Sequence, residues 1–174
     1  MDAKIASTSA DQDFVITRVF NAPREMVWRA WTEREQLMQW FGPKGFTMPH
    51  AEIDLRPGGL LHYAMRSPDG HEMWGKWIFR EIVAPKRLVL VSSFSDAQGG
   101  ITRHPMSANW PLETLSTTTF EEHDGKTMLT IRWSPLNATE SEMKTFSEAH
   151  RGMEQGWGGT FEQLAAYLAK ADSK

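Results

Sequence analysis

The first readable pattern in the chain is the run Phe14 to Phe20, FVITRVF, whose alternation and β-branched content predict a strand. The period then changes. Asn21 and Pro23 supply a cap and a first-turn residue, and Val27, Trp28 and Trp31 recur at helical spacing. Thr32, followed by Glu33 and Glu35, predicts the cap of a second short helix carrying Leu37, Met38, Trp40 and Phe41 and stopped by Gly42-Pro43-Lys44-Gly45.

Six more strands are predicted, over about 46–55, 59–67, 73–83, 87–95, 114–122 and 126–134. Pro57-Gly58-Gly59, Ser67-Pro68-Asp69-Gly70, Ala84-Pro85-Lys86 and His123-Asp124-Gly125 separate them with the residues that reverse an antiparallel chain. Residues 96–111 form the one long loop in this reading and are expected to act as a lid or rim. A single long helix is predicted over roughly 140–169, capped by Thr139 or Ser141. Phe146, His150, Met153, Trp157, Phe161, Leu164 and Leu168 form a stripe along it. Gly152, Gly156 and Gly159 run beside that stripe at a cost in helix stability, which points to close backbone approach or to empty space.

These elements specify an α+β fold, a curved antiparallel seven-stranded sheet wrapped around a long C-terminal helix, with two short helices after the first strand. Pro57-Gly58-Gly59 is expected to help bend the sheet. A helix cannot fill a half-barrel, so a cavity between the two is expected.

Composition narrows the function. The 174 residues fit one domain, taken as 13–170, behind a disordered tail at 1–12. Nineteen basic against 22 acidic residues, with neither sign in runs, argue against nucleic acid or an anionic membrane as partner. The chain has no cysteine, which removes disulfides, thiolate nucleophiles and cysteine-bound metal. No apolar run approaches the ~18 residues of a membrane span and no secretory signal is visible, so a soluble cytoplasmic protein is expected. Eight Trp and ten Met are less ordinary, and such side chains serve either to fill a core or to line an adaptable binding surface.

Four stretches in succession, residues 20–43, 54–70, 81–90 and 156–168 (FNAPREMVWRAWTEREQLMQWFGP, DLRPGGLLHYAMRSPDG, EIVAPKRLVL, GWGGTFEQLAAYL), resemble the activator of heat-shock-protein-90 ATPase homologue (AHSA-like) family. That family lies in the SRPBCC helix-grip superfamily with START lipid-transfer domains, pollen allergens of the Bet v type and polyketide cyclases. The resemblance implies the helix-grip fold with an elongated, mostly apolar cavity between sheet and final helix. It does not imply co-chaperone activity, since the family's name-giving member has an additional N-terminal domain where this chain has a short tail. Cyclase chemistry is not implied either, since no catalytic motif aligns.

Candidate chemistry is sparse. None of the six histidines sits in a HExxH or other metal spacing, so no metal and no cofactor are expected. His150 lies in the helix stripe and reads either as a half-buried structural histidine or as a ligand contact or general base. Glu154, four residues on, makes an ordinary helix pair or a weak catalytic dyad with it. His62 and Arg66 alternate with Leu61, Tyr63 and Met65 and are expected to face solvent. Trp74 and Trp77 fall on opposite faces of one strand, so only one can line the cavity, and Leu129, Ile131 and Trp133 are expected inward on the last strand. Gly156-Trp157-Gly158-Gly159-Thr160 lies inside a helix and is no phosphate loop, and no GxSxG elbow occurs.

The expected lining is Tyr63, Met65, Trp133, Phe146, His150, Met153, Trp157 and Phe161. The leading function is binding of a small apolar or aromatic ligand, lipids included, with His150 or Tyr63 orienting any polar end. The alternatives are an enzyme of cyclase or hydrolase type acting on a hydrophobic substrate in that cavity, or a chaperone-associated protein. A homodimer stays open, because no stripe demands one.

Overall fold

The computed structural model describes residues 13–104 and 107–172. Eight strands, β1 (Phe14–Phe20), β2 (Thr47–Ile53), β3 (Leu60–Arg66), β4 (Glu72–Val83), β5 (Arg87–Ser95), β6 (Ile101–Thr102), β7 (Glu113–His123) and β8 (Lys126–Leu136), form one antiparallel sheet. Their order is β1-β8-β7-β5-β4-β3-β2, with β6 paired to β5 outside that path. Two short helices, α1 (Arg24–Thr32) and α2 (Arg34–Trp40), follow β1, and α3 (Glu140–Glu148) and α4 (His150–Asp172) close the described chain. This is the helix-grip architecture, with one two-residue strand more than the expected seven. The added strand arises because the chain after Ser95 turns back on β5, pairing Phe94 with Thr102 and Ser95 with Ile101.

Turn chemistry explains the reversals. Asp124 and Gly125 both take positive φ, 52° and 79°, as the two-residue hairpin between β7 and β8 requires. At the β2–β3 turn Gly59 is fixed by crowding, since a Cβ there would lie 2.1 Å from the Asp54 carbonyl oxygen. The turn is clipped to β4, the Gly58 N–H donating to Phe79 O at 2.8 Å and the Phe79 N–H to Gly59 O at 2.9 Å. Pro57-Gly58-Gly59 therefore makes a hairpin loop anchored on the neighbouring strand, where the sequence suggested a bend within the sheet.

Three local expectations change. Asn21 does not cap α1, which starts after Pro23, and Thr32 ends α1 with its hydroxyl donating to Trp28 O at 2.8 Å, leaving Glu33 at the N-cap of α2. The predicted single C-terminal helix is two. Ala149, at φ −90° and ψ 0°, ends α3, yet its N–H still bonds Thr145 O and Phe146 O while its carbonyl accepts from Met153, so hydrogen bonds continue across a one-residue break. Of the two proposed caps Thr139 is the one used: its hydroxyl accepts from the Glu142 N–H and the Glu142 carboxylate accepts from the Thr139 N–H.

The core lies between the inner face of the sheet and α1, α2 and α4. Phe20, Phe79, Phe120, Leu129 and Ile131 point in from the strands, and Trp157, Phe161, Leu164 and Leu168 come down from α4. Trp31 of α1 is its centre, stacked on Trp77 at 6.3 Å and 23° and on Trp157 at 6.0 Å and 24°. Arrays of offset aromatic rings of this kind add specific attraction to their burial. The proposed tail at 1–12 lies outside the described residues. No helix among the described residues is long and apolar enough to cross a membrane.

Candidate functional site

Where the inner face of the sheet faces the middle of α4, packing is incomplete and leaves a partly open cavity of about 270 Å³. Its position follows from the strand registers. Tyr63 pairs with Gly75 and Gly75 with Phe94, while Leu61 pairs with Trp77, Trp77 with Ser92 and Ser92 with Thr114. Residues paired in this way share a face, so Tyr63, Trp77, Phe94, Ser92 and Thr114 all look toward the helix. Across from them α4 presents Met153, Gly156, Trp157 and Thr160, Phe41 and Pro43 close one side, and Trp110, Pro111 and Leu112 close another.

The glycines on α4 separate two effects. A Cβ on Gly156, which borders the cavity, would meet nothing within 4 Å, so its missing side chain leaves space. At Gly159 a Cβ would lie 3.6 Å from the Lys44 backbone nitrogen, so here it is the loop after α2 that comes close. Gly152 is exposed with open space around it, and nothing in the structure explains it.

Of the expected lining residues, Tyr63, Met65, Trp133, Met153 and Trp157 do border the cavity. Three do not. Phe161 is fully buried one turn further along α4, edge-on to Phe20 at 5.5 Å. Phe146 lies on α3, before the break at Ala149, and is buried against Trp110 at 5.6 Å. His150, at the start of α4, is wedged between Phe14 and Phe146 at ring distances of 5.7 and 5.5 Å. Glu154 is exposed, so the suggested His150–Glu154 dyad has neither member in the cavity.

On the outer face, Arg66 is exposed as expected and pairs with Glu72. His62 is not. Only 8% exposed, it stacks on Trp74 at 4.9 Å and its Nε2 is 3.0 Å from Asp96 O, because the turn before β6 folds over this part of the sheet. Trp74 and Trp77 do point to opposite faces, yet both border the cavity and not one alone as expected, even though the Trp74 ring stacks in the outer cluster with His62 and His50.

Sequence reasoning missed Ser92, Thr114, Thr160, Met73 and the Trp110–Leu112 segment. The segment had a signal, since it ends the loop expected to form a rim. Thr114 had none, because β7 turns Thr114, Ser116 and Thr118 inward and leaves Leu115 on the other face, against the usual assignment of apolar side chains to the core.

Polar groups at the cavity are few and mostly engaged. Trp133 Nε1 donates to Ser116 Oγ at 3.0 Å, Thr160 Oγ1 to Gly156 O at 2.9 Å and Thr114 Oγ1 to Ser92 O at 3.4 Å. Burial pushes the Tyr63 hydroxyl up to about 12, against the opposing effect of a hydrogen bond with the Trp77 side chain, so it stays protonated at any physiological pH. No other titratable side chain lines the cavity among the described residues, and no group of three His, Asp or Glu is placed to hold a metal.

Comparison with known proteins agrees with this architecture. The family described as Activator of Hsp90 ATPase homolog 1-like protein matches residues 21–169. A Nitrosomonas europaea protein of known structure is 26% identical, with a TM-score of 0.75 and coverage of 95% of this chain and 99% of that one. An Arthrobacter aurescens protein is 30% identical at a TM-score of 0.75, covering 93% of this chain and 88% of its own. The AHSA1 protein of Silicibacter pomeroyi, 20% identical with a TM-score of 0.69 and coverage of 91% and 99%, shares the fold. No curated protein matches the chain.

Proposed function

The chain belongs to the activator of Hsp90 ATPase homolog 1-like family, and from that premise we propose that it is a binding protein that holds a small apolar or aromatic molecule between sheet and final helix. The observation that carries this reading is the cavity at Gly156. A helix residue that costs about 1 kcal/mol relative to alanine sits where its missing side chain leaves space beside Trp157 and Met153. The surrounding Trp77, Trp133, Phe41 and Met65 offer apolar and aromatic surface, and burial of such surface contributes about 25 cal/mol per Å² to affinity before the costs of association. The cavity volume lies near the lower end of those that take small molecules.

Acid–base catalysis by His150 and Glu154 has no support in this geometry, since neither borders the cavity, and Tyr63, protonated to about pH 12, is a hydrogen-bond donor and not a base. Isothermal titration with 2-naphthol tests the binding reading. Wild-type protein is expected to bind it at one site, and Gly156→Leu, folded by circular dichroism, to bind it at least about tenfold more weakly. Equal binding by both proteins would place the probe elsewhere and overturn the reading.

A further inference from the structure

The cavity has an apolar side and one short polar edge. Ser92 and Thr114 are direct cross-strand neighbours on the inner face of β5 and β7, and Ser92 is paired on its other side with Trp77. The Thr114 hydroxyl spends its proton on Ser92 O, while the Ser92 hydroxyl has no hydrogen-bond partner among the described residues. It can therefore give and accept one bond without breaking any. No Asp, Glu, Lys, Arg or His borders the cavity among the described residues, so an ionised group brought inside would lose its water with no counter-charge to replace it.

Resting on the binding reading above, we infer that the ligand class is an uncharged aromatic molecule carrying a hydroxyl or carbonyl group, bound with that group on the Ser92–Thr114 pair and with its ring among Trp77, Trp157 and Met153. Ser92 is then the specificity-determining residue. Its hydroxyl separates oxygenated aromatic molecules from bare hydrocarbons, and the missing counter-charge separates neutral ligands from carboxylates. The Tyr63 hydroxyl, held over Gly75 and engaged with Trp77, is a second donor on the same inner face.

The test is equilibrium dialysis of the full chain at pH 7.5 with naphthalene, 2-naphthol and 2-naphthoate, which share one bicyclic skeleton. We expect 2-naphthol to bind about fivefold more tightly than naphthalene, the effect of one neutral hydrogen bond. The carboxylate should bind at least roughly 100-fold more weakly than the naphthol. Ser92→Ala, folded by circular dichroism, should bring 2-naphthol down to the level of naphthalene, and Thr114→Val should weaken 2-naphthol selectively. Equal binding of naphthalene and 2-naphthol, a preference for the carboxylate, or an unchanged preference in Ser92→Ala would overturn this inference and leave the binding reading standing. Failure of all three probes to bind would overturn both.

Discussion

Tyr63 lies across Gly75 so closely that a Cβ on the glycine would come within 2.4 Å of the phenolic oxygen. The two residues are cross-strand partners on β3 and β4, and the missing side chain of one is the seat of the other's ring. Gly75→Ala should therefore push Tyr63 out of place and destabilise the protein by about 1–3 kcal/mol, the usual cost of overpacking. Chemical denaturation of the variant checks this, and an unchanged midpoint would show that the ring moves aside freely.

Gly156 makes the opposite prediction. Open space surrounds the position a Cβ would take, so Gly156→Ala should stabilise α4 by up to about 1 kcal/mol through helix propensity. Binding should fall as the cavity shrinks. Melting temperature and probe affinity measured on the same variant are expected to move in opposite directions, whereas a core glycine would lose both.

The raised Tyr63 hydroxyl sets an alkaline limit. Because its folded value, about 12, exceeds the ordinary 10.0, the unfolded chain ionises first. The contribution is fully present below pH 10 and is lost as pH rises toward 12, amounting to roughly 3 kcal/mol across that window. Wild type and Tyr63→Phe should therefore lose stability at different rates above pH 10, the phenylalanine variant more slowly. Parallel curves would mean that the phenol is not buried in this way.

Glu142 sets an acid limit of the opposite sign. The backbone N–H of Thr139, foremost, and the Arg103 side chain hold its carboxyl below the ordinary value. Its contribution is present above that ordinary value and is lost as pH falls through the depressed one. Thr139→Ala should cost about 1 kcal/mol as a lost cap. Glu142→Gln should flatten the acid limb of the stability profile, and an unchanged limb would assign it to other carboxylates.

How much of this was legible beforehand depended on whether the sequence pattern and the packing agreed. On β8 they did: Leu129, Ile131 and Trp133 alternate and all point inward. On β7 they did not, because Thr114, Ser116 and Thr118 occupy the inner face, and the β7 half of the cavity's polar edge was invisible for that reason. The stripe on the last helix predicted burial well but could not separate core from cavity wall. Phe161 and Trp157 carry the same pattern, and only Trp157 borders the space. The break at Ala149 carried no proline or glycine to mark it, and it placed Phe146 on a separate helix and His150 at the very start of α4. His62 was buried by a loop distant in sequence, which no local alternation can foresee.

The most direct measurement is carbon–proton NMR of protein labelled at its methionine methyl groups, with 2-naphthol added. Met65, Met73 and Met153 border the cavity, whereas Met26, Met38, Met48, Met128 and Met143 do not. A ligand seated beside Trp77 and Trp157 should shift the three cavity methyl signals saturably and together, leaving those five near their free positions. Saturation with the largest shifts at Met26, Met38 or Met128, or no shift at any of the eight, would contradict the account.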